Sequence, residues 1–129
     1  MFLLACSSSF AQKSELKELE KLVKNNNVTE TTALLSTIEK MLPQATDDQK
    51  AAYYFFKTKN FINLANSGVD FNENRSKAIE SINQLIKFEN ETKSKKYTTE
   101  VTALKNTLLA ELVDDAIDSN RNKDYKKSR

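Results

Sequence analysis

Residues 76–90, SKAIESINQLIKFEN, carry the pattern that decides the fold of this chain. Small or apolar side chains recur three and four residues apart at Ala78, Ile82 and Leu85, and Ile79 and Ile86 widen the same face. This spacing is the period of an α-helix with one buried side, whereas the residues of a strand alternate every second position. The stretch therefore predicts an amphipathic helix.

The same period recurs along the rest of the chain and predicts further helices. Ser14, Thr29 and Thr46 (or Asp47) are N-cap candidates, Pro43 ends a helix, and Gly68 is suited to a C-cap. Breaks are expected at 25–27, 67–74 and 120–123. The predicted helices cover about residues 14–25, 29–42, 47–67, 72–90 and 98–119, and a sixth begins at Asp124.

The composition supports an all-α fold. The 129 residues hold one Gly and one Pro, and β-rich folds need glycines for their tight turns. With 39% hydrophobic and 29% charged residues, the chain has room for one soluble domain with a modest core. We expect antiparallel helical hairpins.

The missing residue types exclude several chemistries. The chain has no His, and its single Cys allows neither an internal disulfide nor a thiolate zinc site. One glycine cannot form a phosphate-binding loop. The acidic pairs Asp47-Asp48 and Asp114-Asp115 are explained by a helix N-terminus or a solvated face. We therefore expect no enzyme activity, no cofactor and no metal site.

The first residues, MFLLACSSSFAQ, allow three interpretations. Residues 1–11 resemble the remnant of a signal peptide, with Ser9-Phe10-Ala11 as its small-x-small cleavage site. Alternatively, Leu3 to Cys6 resemble a lipobox, in which Cys6 becomes the lipidated first residue. The third interpretation is the frayed end of the first helix. The first two predict an exported protein in the periplasm or at the outer membrane, with residues 12–129 as its helical domain.

The C-terminal residues 121–129, RNKDYKKSR, hold five basic groups against one acidic group. Acidic residues lie just upstream in 111–118, and the net charge of the whole chain is only +2. We therefore expect no nucleic-acid partner, and contact with a membrane only through a lipid anchor.

One stretch resembles the tetratricopeptide repeat (TPR) family. In residues 112–128, LVDDAIDSNRNKDYKKS, the residues Leu112, Ala116, Tyr125 and Ser128 fall at the spacing of a TPR helix pair, and Lys-Asp-Tyr is similar to the family's Gly-Asp-Tyr. More weakly, KAIESINQL (77–85) resembles a second helix, Phe55 takes the large position of a first helix, and Pro43 sits where a repeat closes. Helix starts at Ser14, Asp47 and Thr98 are roughly 33 and 51 residues apart, against the family period of about 34.

This resemblance implies a short TPR-like α-solenoid, truncated in its last hairpin, that binds a protein or peptide in a groove lined by the first helices of the hairpins. In the third helix it implies a groove built from Tyr53, Phe56, Asn60 and Asn63. The chain is then a non-catalytic interaction scaffold of the bacterial cell envelope.

Two further expectations stay open beside this one. The alternative function is a surface or periplasmic lipoprotein whose helical domain is tethered through Cys6. In either case, the incomplete last hairpin is expected to leave Leu108, Leu112 and Ala116 as an uncapped apolar face through which the chain self-associates.

Overall fold

The computed structural model describes the backbone of residues 2–127 and the side chains of residues 13–114 and 117. The described chain forms five α-helices and one short 3-10 helix, and it contains no strand. The prediction of an all-α fold is therefore confirmed. The helices are α1 (Phe2–Lys24), α2 (Val28–Met41), α3 (Asp47–Asn66), α4 (Phe71–Thr92) and α5 (Thr98–Lys127), and the 3-10 turn Leu42–Gln44 follows α2.

Capping side chains explain the internal boundaries. Thr46 is the N-cap of α3, where its hydroxyl accepts from the Gln49 backbone N–H at 3.2 Å and the Gln49 side chain accepts from the Thr46 N–H at 2.9 Å. This reciprocal pair is a capping box, so the predicted start of the third helix is confirmed. Asn27, not Thr29, caps α2 by accepting from the Glu30 N–H at 3.3 Å.

Gly68 follows α3 with a φ of +90°, which a residue with a Cβ rarely adopts, and its N–H donates to the Ala65 carbonyl. Gly68 therefore ends α3 as predicted, although the C-cap residue itself is Ser67 and Gly68 is the left-handed residue that follows it. The next helix begins at Phe71, slightly earlier than expected, after Asp70 reverses the chain with a φ of +40°.

Two predictions about the chain's ends were wrong. Helix α1 begins at Phe2, so Ser14 lies inside the helix and does not cap it. Helix α5 runs without a break from Thr98 to Lys127, so residues 120–123 form no turn and no sixth helix begins at Asp124. Neither stretch contains Gly or Pro, and without a steric stop helix propagation costs little. The last hairpin implied by the TPR resemblance is thus one continuous helix.

Helices α3 and α4 form the centre of the bundle. Small residues lie in the core of this pair: Ala51 of α3 and Ala78 of α4 are buried, and the Ser81 hydroxyl donates to the Tyr54 carbonyl across the pair at 3.3 Å. The first half of α5 joins this core through Val101 and Leu108. A second core cluster, where the α1–α2 hairpin docks on α3, contains Leu19, Leu35, Ile38 and Tyr53.

A buried carboxylate closes the connection between α4 and α5. Glu89 is fully buried, and it accepts from the Tyr97 backbone N–H at 3.0 and 3.2 Å, from the Thr98 hydroxyl at 2.7 Å and from the Ser94 hydroxyl at 3.2 Å. The negative charge lies at the N-terminus of α5, where the helix dipole favours an anion. Glu89 therefore sets the position at which α5 turns back along α4.

Among the described residues, no helix combines the length and the apolar character needed to cross a membrane.

Candidate functional site

The four residues of the predicted groove lie on one stripe of α3, but this stripe faces the α1–α2 hairpin. The Asn60 amide donates to the Thr32 hydroxyl of α2 at 3.0 Å, and the Asn63 amide donates to the Val23 carbonyl of α1 at 3.2 Å. Tyr53 is 3% exposed and belongs to the cluster beneath that hairpin. The stripe is therefore largely an internal interface, and its four side chains do not share one groove.

The docked hairpin leaves a depression on each side. Phe56 and Asn63 line the first, between α1, α3 and α5, which we call the front groove. Tyr53 and Asn60 line the second, between α2, α3 and α4, which we call the rear cavity. The stripe predicted from the sequence is thus divided into two pairs by the hairpin that packs on it.

The front groove has a volume of about 360 Å³ and an aromatic floor. The Phe55 ring stacks on Tyr97 at a centroid distance of 4.6 Å and meets the Phe56 ring edge-on at 5.5 Å. Lys59 lies over Phe55, with its Nζ 5.4 Å from the ring centroid, and pairs with Glu100 of α5 at 3.7 Å.

The opposite edge of the front groove comes from α1. Glu20 and Lys24 form an ion pair at 3.3 Å there, and Val23 also lines the groove. The groove thus combines half-buried phenylalanines with charged, solvent-exposed edges. This pattern is typical of surfaces that bind a partner through an apolar anchor.

The rear cavity has a volume of about 320 Å³ and a more polar lining. Burial raises the pKa of the Tyr53 hydroxyl to about 12, and the nearby Glu39 carboxylate acts in the same direction. The hydroxyl therefore stays protonated near neutral pH. Lys57 lies over the Tyr53 ring, with its Nζ 5.8 Å from the centroid.

The exposed apolar residues of α5 differ from those that the sequence suggested for self-association. Leu108 is 4% exposed because it packs into the central core, and Leu112 is half-buried. Ala116 lies outside the described side chains. The exposed stripe is instead formed by Leu109, Val113 and Ile117, which are 41%, 56% and 44% exposed.

The acidic candidates that the structure describes are exposed on helix surfaces. Asp47 and Asp48 are exposed in the first turn of α3, as the helix dipole favours, and Asp114 is exposed on α5. Within the described part of the chain, no group of three or more His, Cys, Asp or Glu side chains is placed to hold a metal ion. The Cys6 and Tyr125 side chains and all of Ser128 lie outside the described residues.

Sequence reasoning missed Glu89 and the full burial of Asn60. Glu89 follows Ala78, Ile82 and Leu85 at helical spacing, so a charged residue falls on the apolar stripe of α4, and that interruption is a usable signal. The sequence carries no comparable mark for Asn60, since its burial depends on the docking of α2.

Comparisons with known proteins found no match: no family model matches the chain, and neither does any curated protein or solved structure.

Proposed function

We propose that this chain is a non-catalytic interaction scaffold that binds a protein or peptide partner in the front groove. The observation that carries the proposal is the aromatic floor of the groove, where Phe55 and Phe56 are half-buried between α1 and α5. Half-exposed aromatic rings bury a large apolar area on binding with little loss of side-chain entropy. Asn63 adds a polar group beside them because only its amide nitrogen is used by Val23.

A TPR-like arrangement is part of this proposal. Helices α1 and α2 fold back on each other, as do α3 and α4, and the front groove is lined by α1 and α3, the first helices of these two hairpins, together with α5. A solenoid that binds along its first helices uses this surface. The unbroken α5 departs from the family pattern, so the proposal depends on the groove more than on the repeat.

The place of action we propose is the bacterial cell envelope, either the periplasm or the outer membrane. Its support is the opening sequence, in which apolar residues precede the small-x-small site Ser9-Phe10-Ala11. Fractionation of the source bacterium with an antibody against the helical domain tests the location. Recovery of the protein from the cytosolic fraction alone would contradict it.

The groove is tested by site-specific photo-crosslinking in those cells. A photoreactive phenylalanine analogue at position 56 is expected to give a discrete adduct, which mass spectrometry identifies. The same analogue at Lys87, which is exposed on α4 outside both depressions, is the matched control.

Charge reversal at the groove edge then tests specificity. Lys59→Glu is expected to weaken the adduct at position 56 because it places a second carboxylate beside that of Glu100. Circular dichroism checks that the variant is folded. Equal adducts at positions 56 and 87, or an adduct that is indifferent to Lys59→Glu, would contradict binding in the groove.

The second candidate is a lipoprotein tethered through Cys6, which the residues Leu3-Leu4-Ala5-Cys6 favour. In that case a palmitate analogue fed to the cells is incorporated into the protein, and Cys6→Ala abolishes the label. Ser8→Ala is the matched control in the same segment. No label in the unchanged protein would exclude the lipid anchor and leave the scaffold proposal standing.

A further inference from the structure

Three large apolar side chains on the outer side of α5 are left uncovered in a single copy of the chain. Leu109, Val113 and Ile117 are 41%, 56% and 44% exposed, and their spacing of four residues places them in one row along the helix, which we call the outer row. No other helix exposes three such side chains among those that the structure describes. A contiguous apolar patch of this kind commonly marks an interaction site.

Charged side chains lie at the edges of the outer row and not within it. The exposed residues Asn106 and Ala110, which lie beside Leu109, are uncharged. Lys105 precedes the row by one turn, and Asp114 is rotated about 100° around the helix from Val113. The described part of the row can therefore enter an apolar groove without burying an unpaired charge.

The front groove suits a helix better than an extended segment. Its walls are the helices α1, α3 and α5, whose backbone N–H and C=O groups are bonded within each helix. An extended chain on the aromatic floor would find no backbone partner there, and the charged groups at the edges are held in the Glu20–Lys24 and Lys59–Glu100 pairs. A helix bonds its own backbone and needs only side-chain contacts.

The outer row and the front groove also match in length. Along α3 the groove is lined by Phe55, Lys59 and Asn63, again at steps of four residues. Eight residues of α-helix rise about 12 Å, both from Phe55 to Asn63 and from Leu109 to Ile117. Rows with steps of four form the ridges that most often interdigitate when two helices pack.

We propose that the front groove binds the outer row of a second copy of this chain. Val113 of one copy then lies on the aromatic floor of the other, and Asp114 lies at the groove edge, where it can pair with Lys24. The present partner of Lys24 is Glu20, and this ion pair is exposed, so exchanging it costs little. The proposal rests on the proposed function of the groove and names its partner.

The proposed contact is head-to-tail, because the groove and the outer row are different surfaces of the same copy. Each copy can therefore bind one neighbour through its groove and another through its outer row. A contact of the outer row with itself would instead stop at a dimer. This difference in symmetry makes the proposal testable with variants that lose one surface at a time.

Light scattering on variants of the full chain tests this geometry. Val113→Lys places a charge in the outer row and leaves the groove intact, whereas Phe56→Glu places a charge on the groove floor and leaves the row intact. We expect the mean mass of the unchanged chain to rise with its concentration, and each variant alone to stay monomeric. The equimolar mixture is expected to form a dimer and to stop there, because it holds one intact surface of each kind.

Thr107→Lys is the matched control, since it adds the same charge to an exposed residue of α5 away from the outer row. It should associate like the unchanged chain. Circular dichroism checks folding, and Phe56→Ala replaces Phe56→Glu if that variant is unfolded. A monomeric unchanged chain, association that survives Val113→Lys, or a mixture that forms no dimer would overturn the proposal.

Photo-crosslinking at position 56 separates this inference from the function on which it rests. An adduct between two copies that maps to residues 109–117 supports both. An adduct with a different protein keeps the scaffold proposal and overturns the contact between copies. The absence of any adduct counts against both.

Discussion

Replacing Glu89 by Ala tests whether one buried carboxylate holds α5 onto the bundle. The side chain is fully buried and accepts from three donors, the Ser94 hydroxyl, the Tyr97 N–H (shared between both oxygens) and the Thr98 hydroxyl. The change leaves the Tyr97 N–H and the Thr98 hydroxyl without their acceptor. It also removes a negative charge from the N-terminus of α5.

The expected loss of stability follows from these bonds. A hydrogen bond to a charged group contributes about 1.5–3 kcal/mol net, and those from Tyr97 and Thr98 are the shortest of the set. The Ser94 hydroxyl is partly exposed and can turn to water. Two bonds of this class give a loss of about 3–6 kcal/mol, a large part of the ~5–15 kcal/mol by which domains are stable.

Glu89→Gln is the informative companion variant. It keeps the shape and one acceptor oxygen but loses the charge, and neutral hydrogen bonds contribute only about 0.5–1.5 kcal/mol each. We therefore expect Glu89→Gln to cost about 2 kcal/mol, between the unchanged protein and Glu89→Ala.

Urea unfolding followed by circular dichroism measures these losses, and hydrogen exchange at the Tyr97 amide reports on the bond itself. Glu91→Ala, an exposed change in the same last turns of α4, is the control and should stay within about 0.5 kcal/mol. A loss below about 1 kcal/mol for Glu89→Ala, or unchanged exchange at Tyr97, would refute the idea that this carboxylate organises the connection.

Three other predictions follow from the same packing. Thr46→Ala removes the capping box of α3 and should cost about 1 kcal/mol in urea unfolding, and an equal loss for the exposed Thr37→Ala would contradict the capping role. Ala78→Leu forces a larger side chain between α3 and α4 and should cost about 1–3 kcal/mol, so a neutral result would show that the helices can separate freely. Because Tyr53 holds its proton more tightly when folded, with a pKa near 12 against 10.0, its contribution to stability is complete below pH 10 and is lost as the pH rises to about 12. Urea unfolding of Tyr53→Phe at those pH values should show a weaker decline than the unchanged protein, and an identical decline would assign it to other groups.

The wrong predictions have a common physical origin. Ser14 has the chemistry of an N-cap, and residues 120–123 are polar, but a cap or a polar run does not stop a helix that meets no steric obstacle. The correct boundaries at Thr46 and Gly68 involve specific hydrogen bonds or a positive φ within a few residues. Such local interactions can be predicted from the sequence because both partners lie close together along the chain.

The candidate site was only partly predictable for the opposite reason. The spacing of Tyr53, Phe56, Asn60 and Asn63 places them on one stripe of α3. In the structure this stripe faces the α1–α2 hairpin, which Asn60 and Asn63 both contact. Which part of it stays open depends on the α1–α2 hairpin, whose contacts Thr32 and Val23 lie 28 and 40 residues away in sequence. A helical period shows which side chains share a face, but not what covers that face.

The sequence by itself therefore determined the helical class, the apolar stripes and the boundaries of α3 at Thr46 and Gly68, since these depend on interactions within one or two turns. Only the tertiary structure decided that Glu89 is buried at the start of α5, that Asn60 is buried with its oxygen unpaired, and that one stripe of α3 serves two depressions. These features arise where helices distant in the chain meet. Their geometry is set by the packing of whole faces, and no local pattern encodes it.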